Sequence, residues 1–178
     1  MSVEESDIVK EANTYLHAHP GETKALTPLF MAACDHTRLR TCHHAGSCPL
    51  VTAGAIVVDE QNRVLSLWNG RWALAEGSPD DQDDSLSDAA LRVLEEFAGI
   101  YDVWAAPGEE GPLLIDVTEP APEFGGARKR YGFRYLFRAH SDALSPVVAV
   151  GGQARWVPLD EISPLIRTRV LHRPAVSL

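Results

Sequence analysis

SPDDQDDSLSDAALRVLEEFAGI, Ser78 to Ile100, is the stretch on which the reading of this chain turns. It opens with Asp80, Asp81, Asp83 and Asp84 in a segment without apolar periodicity. Such a run reads as a solvated loop leading into a helix N-terminus, where carboxylates are favoured. Ser85 or Ser87 offers the N-cap hydroxyl, the helix runs to about Phe97, and Gly99 ends it. Val93, Glu96 and Phe97 stand at i, i+3 and i+4 and therefore share one helix face. Arg92 lies four residues from both Asp88 and Glu96 and is expected to pair with them.

The flanks supply strands. VTAGAIVV at 51–58 reads as a buried strand, Asp59 to Asn62 as a turn, and RVLSLW at 63–68 as the returning strand. Asn69-Gly70 signals a hairpin into the short strand WALAEG. Segments 101–106, 112–117, 130–139 and 154–157 are further strands, and a last short helix begins near Asp160. Upstream, Ser6 is the expected cap of a helix carrying Ile8, Val9, Ala12, Tyr15 and Leu16, which His19-Pro20-Gly21 breaks. Leu26, Leu29, Phe30 and Ala33 mark a second helix. Strands, a central helix, more strands and a closing helix make an α/β fold with a mixed sheet between helices. The expected division is a helical extension and Cys/His-rich loop over 1–50, then the main domain over 51–178.

The central stretch resembles a Nudix box, G-x5-E-x7-R-E-U-x-E-E-x-G-U with U aliphatic. Aligned on Arg92, Ser78 takes the glycine position and Asp84 that of the first glutamate, while Arg92, Leu94, Glu96, Gly99 and Ile100 match. Val93 and Phe97 stand where two glutamates belong. TAGAIVVDEQNRVLSL, RWALAEG, RYGFRYLFRA and RWVPLDEI resemble the strands around the box, so the likeness covers roughly residues 51–165. Ala75-Glu76-Gly77 replaces the common Pro-Gly-Gly, and either Gly77 or Ser78 is the box glycine.

The resemblance implies a Nudix-like α/β/α sandwich with an N-terminal helical extension. It also implies a hydrolase of a small diphosphate-containing, nucleotide-like molecule, with an altered metal site. Glu96 and the aspartates near 80–84, Asp84 among them, would then hold Mg²⁺ or Mn²⁺, and Arg92 would orient the carboxylates. Members are often homodimers. The competing expectation is a degenerate domain, repurposed for ligand binding or for a non-hydrolytic or zinc-dependent reaction. An interaction scaffold using the extension is a third.

Composition narrows the partners. A net charge of −9 lacks the basic footprint that nonspecific nucleic-acid or anionic-membrane binding needs. No apolar run approaches the roughly 20 residues of a membrane span. The acidic N-terminus does not read as a signal peptide, so the expected location is the cytoplasm, with reduced cysteines. Cys34, His36, Cys42, His43, His44 and Cys48 cluster within 15 residues, and thiolates with imidazoles are preferred Zn²⁺ ligands. The alternative is buried cysteines and surface histidines. GGARKRYGFRY at 125–135 is the one basic island; Arg128 and Arg130, with Lys129 and Arg134, are candidates for an anionic, phosphate-containing substrate. Trp68, Trp72 and Trp104 either stack on a planar ligand or pack the strands.

Overall fold

The computed structural model describes residues 3–35, 48–119 and 128–172. Helices α1 (Glu5–Ala18) and α2 (Thr23–Asp35) come first, joined by a 3-10 turn at Pro20–Glu22. Glu4, not Ser6, occupies the α1 N-cap; its N–H donates to the Asp7 carboxylate at 3.0 Å. Strands β1 (Leu50–Val58) and β2 (Arg63–Trp68) follow. The buried Asp59 carboxylate holds the turn between them, accepting from the backbone N–H of Gln61 and Arg63 and from the Arg63 side chain. Gly70, at φ 71°, supplies the left-handed residue of the next hairpin.

The expected strand WALAEG is two strands, β3 (Trp72–Ala73) on β2 and β4 (Ala75–Gly77) on β1. Helix α3 (Leu86–Ala98) is next, capped by Ser85 and ended by Gly99 at φ 63°. Strands β5 (Val103–Trp104), β6 (Leu114–Thr118) and β7 (Arg130–Ala139) precede the short α4 (Pro146–Val150), β8 (Ala154–Pro158) and α5 (Pro164–Leu171). The sheet has the spine β3-β2-β1-β7-β5, with β4 also on β1, β6 on β7 and β8 on β2. It is mixed: β1 and β7 run parallel from Leu50↔Arg130 to Val58↔Arg138, and the other pairs are antiparallel.

Strand alternation divides the core between the two faces of the sheet. Ala53, Ala55 and Val57 with Tyr131, Phe133 and Tyr135 pack against α3 and also against Ile8, Ala12 and Tyr15 of α1 and Leu26 and Leu29 of α2. Ile56, Val58 and Leu136 pack against Ile166 and Val170 of α5. The result is helices on both sides of a mixed sheet, the α/β/α arrangement expected. The N-terminal helices share the main core rather than a separate one. Arg169 of α5 fastens them, donating to Tyr15 Oη, to the Glu22 carboxylate and to the Leu113 carbonyl. Among the described residues no helix is long and apolar enough to cross a membrane.

Candidate functional site

Strand β1 changes partner along one edge. Val58 pairs with Val64 of β2, whereas Ala53, Gly54 and Ala55 pair with Gly77, Glu76 and Ala75 of β4. The sheet forks there, and a cleft of about 570 Å³ lies in the fork. One wall is the hairpin, with Trp68, Asn69 and Arg71; the other is Glu76 of β4 with Glu96 and Phe97 of α3. Thr52 and Arg130 lie on the adjoining β1 and β7.

Glu76 anchors the floor. Its Oε1 accepts from Thr52 Oγ1 at 2.6 Å and lies 3.5 Å from Arg130 Nε, while Oε2 accepts from Arg134 Nη2 at 3.0 Å. Arg134 also reaches Asp116 at 3.4 Å. Two glycines make room for this pair. A Cβ on Gly54 would stand 3.1 Å from Arg134 Nη1 and 2.6 Å from the Ala75 carbonyl oxygen. A Cβ on Gly132 would stand 3.1 Å from Glu76 Oε1. Burial alone would raise the Glu76 pKa, but Arg134, the Thr52 hydrogen bond and Arg130 outweigh it and hold the carboxyl below its usual range.

Helix α3 forms the other wall. Arg92 grips Asp83 through Nε and Nη2, both at 2.9 Å, reaches Glu96 through Nη1 at 3.1 Å, and donates to the Ser78 carbonyl at 3.0 Å. Its pKa rises, chiefly through the Asp83 hydrogen bond. The expected Glu96 partner is present. The other is Asp83 in place of Asp88, whose carboxylate instead accepts from the capping Ser85 hydroxyl. Asp84 is exposed at the surface and does not line the cleft. Val93 is buried: a Cβ on Gly77 would come within 2.7 Å of its Cγ2, so the glycine lets β4 pack on α3. Phe97 is 56 % exposed and turns to the cleft.

Of the basic island, Arg130 lines the cleft, Arg128 does not, and Arg134 is engaged by Glu76 and Asp116. Arg71 is the cation the sequence reading passed over. It lines the cleft, and among the described residues its guanidinium has no carboxylate partner. His36, Cys42, His43 and His44 lie outside the described residues. Cys34 is an exposed free thiol, whereas Cys48 is disulfide-bonded. That corrects the expectation of a reduced Cys48, because a disulfide sulfur is not the thiolate that zinc needs.

The sequence model of the NUDIX domain matches residues 49–177. The chain belongs to the Nudix family. None of the curated proteins compared with it matches. Among solved structures, a C. elegans Ap4A hydrolase binary complex is 14 % identical over 68 % of this chain and 95 % of its own, with TM-score 0.50. NrtR of Shewanella oneidensis is 20 % identical over 70 % of this chain, with TM-score 0.48, and this chain spans only 56 % of it. The NUDIX domain of that NrtR, complexed with ADP ribose, is 19 % identical over 71 % of this chain and 78 % of its own, with TM-score 0.40. The first of these, at TM-score 0.50 and 14 % identity, speaks for the fold alone.

Nudix hydrolases use Mg²⁺ or Mn²⁺ held by the box helix, and the donors here do not fit that arrangement. Val93 and Phe97 bring no oxygen to the helix face. Glu76 has both oxygens engaged, and Glu96 is paired with Arg92. In the Asp loop Asp83 is buried and accepts from Arg92 and the Asp80 N–H, while Asp80, which accepts from the Gln82 N–H, Asp81 and Asp84 are exposed. Among the described residues no group of three or more His, Cys, Asp or Glu is placed to hold a metal ion.

Proposed function

We propose that this Nudix domain binds a small phosphate-bearing molecule in the forked cleft and does not hydrolyse it by the family's usual magnesium chemistry. The observation that carries the reading is Arg71. A guanidinium on the cleft wall that has no carboxylate partner among the described residues is suited to an anion. Arg130 adds a second cation shared with Glu76. The carboxylates that would repel phosphate are countered: Glu76 by Arg134 and Arg130, Glu96 by Arg92. Arg92 is shared with Asp83 and Arg134 with Asp116, so Arg71 is the guanidinium left to meet an entering phosphate.

The hydrolytic reading is supported by the match to the NUDIX domain and by the half-exposed Glu96 carboxylate on the cleft wall. Calorimetric titration with inorganic pyrophosphate and with ADP in EDTA separates the two. Binding is expected in EDTA and weakens about tenfold or more in Arg71→Ala, since a hydrogen bond to a charged group contributes ~1.5–3 kcal/mol. Binding that requires Mg²⁺, with turnover abolished in Glu96→Gln, would overturn the proposal in favour of hydrolysis.

A further inference from the structure

The carboxylate on the cleft floor is also the partner of the cleft's second cation. The charged side chains that line the cleft are Arg71, Glu76, Glu96 and Arg130. Arg130 Nε lies 3.5 Å from Glu76 Oε1, and its Nη2 donates to Thr118 Oγ1 at 3.3 Å. Among the described residues Glu76 is the one carboxylate paired with Arg130. Cation and anion therefore offset each other on the wall where a phosphate would enter.

The two members of this pair are held unequally. Glu76 is fixed from below: Thr52 Oγ1 donates to Oε1 at 2.6 Å and Arg134 Nη2 to Oε2 at 3.0 Å. Gly132 clears the space for it, since a Cβ there would stand 3.1 Å from Oε1. Burial raises the Glu76 pKa, but Arg134, Thr52 and Arg130 lower it further, so the carboxyl is ionised at neutral pH. Arg130 is held more loosely. Its side chain is 32 % exposed, and its contact with Glu76 is longer than a usual N–H···O bond. A partly exposed ion pair of this kind contributes little. Arg130 can turn away while Glu76 keeps Thr52 and Arg134. A phosphate carries more charge than a carboxylate and accepts from a guanidinium in bidentate fashion, so it can win the exchange.

We infer that Glu76 is a resident counter-ion of the cleft, holding Arg130 until a phosphate takes its place. It is an affinity-setting residue that works against the ligand, because the entering anion must draw Arg130 away from it. This rests on the phosphate-binding reading above and adds an internal competitor to it. A Glu76 with a purely structural role has the opposite signature, since loosening the floor weakens whatever binds there.

The test is calorimetric titration of the full chain with pyrophosphate in EDTA at pH 7. Glu76→Gln keeps the size and an acceptor for Thr52 but no longer holds Arg130 by charge. It is expected to bind pyrophosphate about tenfold tighter than wild type. In an Arg130→Met background the same substitution is expected to bring little or no gain. Thermal unfolding establishes that each variant is folded at the assay temperature. Should Glu76→Gln not fold, the wild type decides by NMR. Its Arg130 Nε–H signal, assigned by its loss in Arg130→Met, is expected to move as pyrophosphate saturates. Unchanged or weaker binding in Glu76→Gln would overturn the counter-ion and leave the phosphate site standing. So would an equal gain in the Arg130→Met background, or an Arg130 signal that stays in place while pyrophosphate binds. Pyrophosphate binding to neither wild type nor Glu76→Gln would overturn both proposals.

Discussion

Glu76→Gln tests the electrostatic floor of the cleft. The substitution keeps size and one acceptor but removes the charge opposite Arg134, whose side chain is only 10 % exposed. Removing one partner of a buried pair costs about 3–5 kcal/mol when nothing compensates. Here Arg134 keeps Asp116 at 3.4 Å, and Glu76 is itself 17 % exposed, so ~2–3 kcal/mol is expected. For a chain of this length that lowers Tm by ~4–12 °C. The pH dependence has a defined sign. The Glu76 pKa is depressed on folding, so its contribution is complete above the unfolded carboxylate value of about 4.3 and is lost as pH falls through the folded value. Urea unfolding of wild type and variant at pH 7 and at successively lower pH measures this. The gap between them should be full at pH 7 and close on acidification. Adding Arg134→Met should cost less than the sum of the single substitutions. An unchanged stability at pH 7, or a gap that widens in acid, would refute the reasoning.

Two further predictions concern packing. Gly77→Ala places a Cβ against Val93 Cγ2 and should cost ~1–3 kcal/mol, with Val93→Ala in the same chain recovering part of it; a neutral Gly77→Ala in chemical unfolding contradicts the close approach. Arg169→Met severs α5 from Tyr15, Glu22 and the Leu113 carbonyl. It should cost ~1–3 kcal/mol and speed limited proteolysis near the Pro20–Glu22 turn, and a cleavage rate equal to wild type would contradict the clamp.

What the sequence revealed follows the range of the forces involved. Helix α3 is legible because its cap, its stop and the Arg92–Glu96 pair lie within one element, where period and capping chemistry are local. The parallel partner strand β7 announces itself by length and apolar content. The pairing of Arg134 with Glu76 spans 58 residues and exists only because β1 takes β4 and β7 as neighbours on opposite edges. Its one sequence trace is Gly54 and Gly132, glycines inside strands that otherwise favour bulk. Arg71 reads as an ordinary hairpin residue until the fork gives it a cleft to face. Val93 was legible as a missing carboxylate; that it fills the space left by Gly77 was not, because that contact joins a strand to a helix. The oxidised state of Cys48 depends on spatial approach, which spacing does not encode.

The most direct measurement of the central claim is a paired experiment on the full wild-type chain. ADP and pyrophosphate are titrated calorimetrically in EDTA, and the same mixtures are then incubated with Mg²⁺ or Mn²⁺ and followed by phosphorus NMR. Saturable binding in EDTA with both ligands intact after incubation is the predicted result. Binding that appears only with the divalent ion, accompanied by cleavage of the diphosphate, would contradict it.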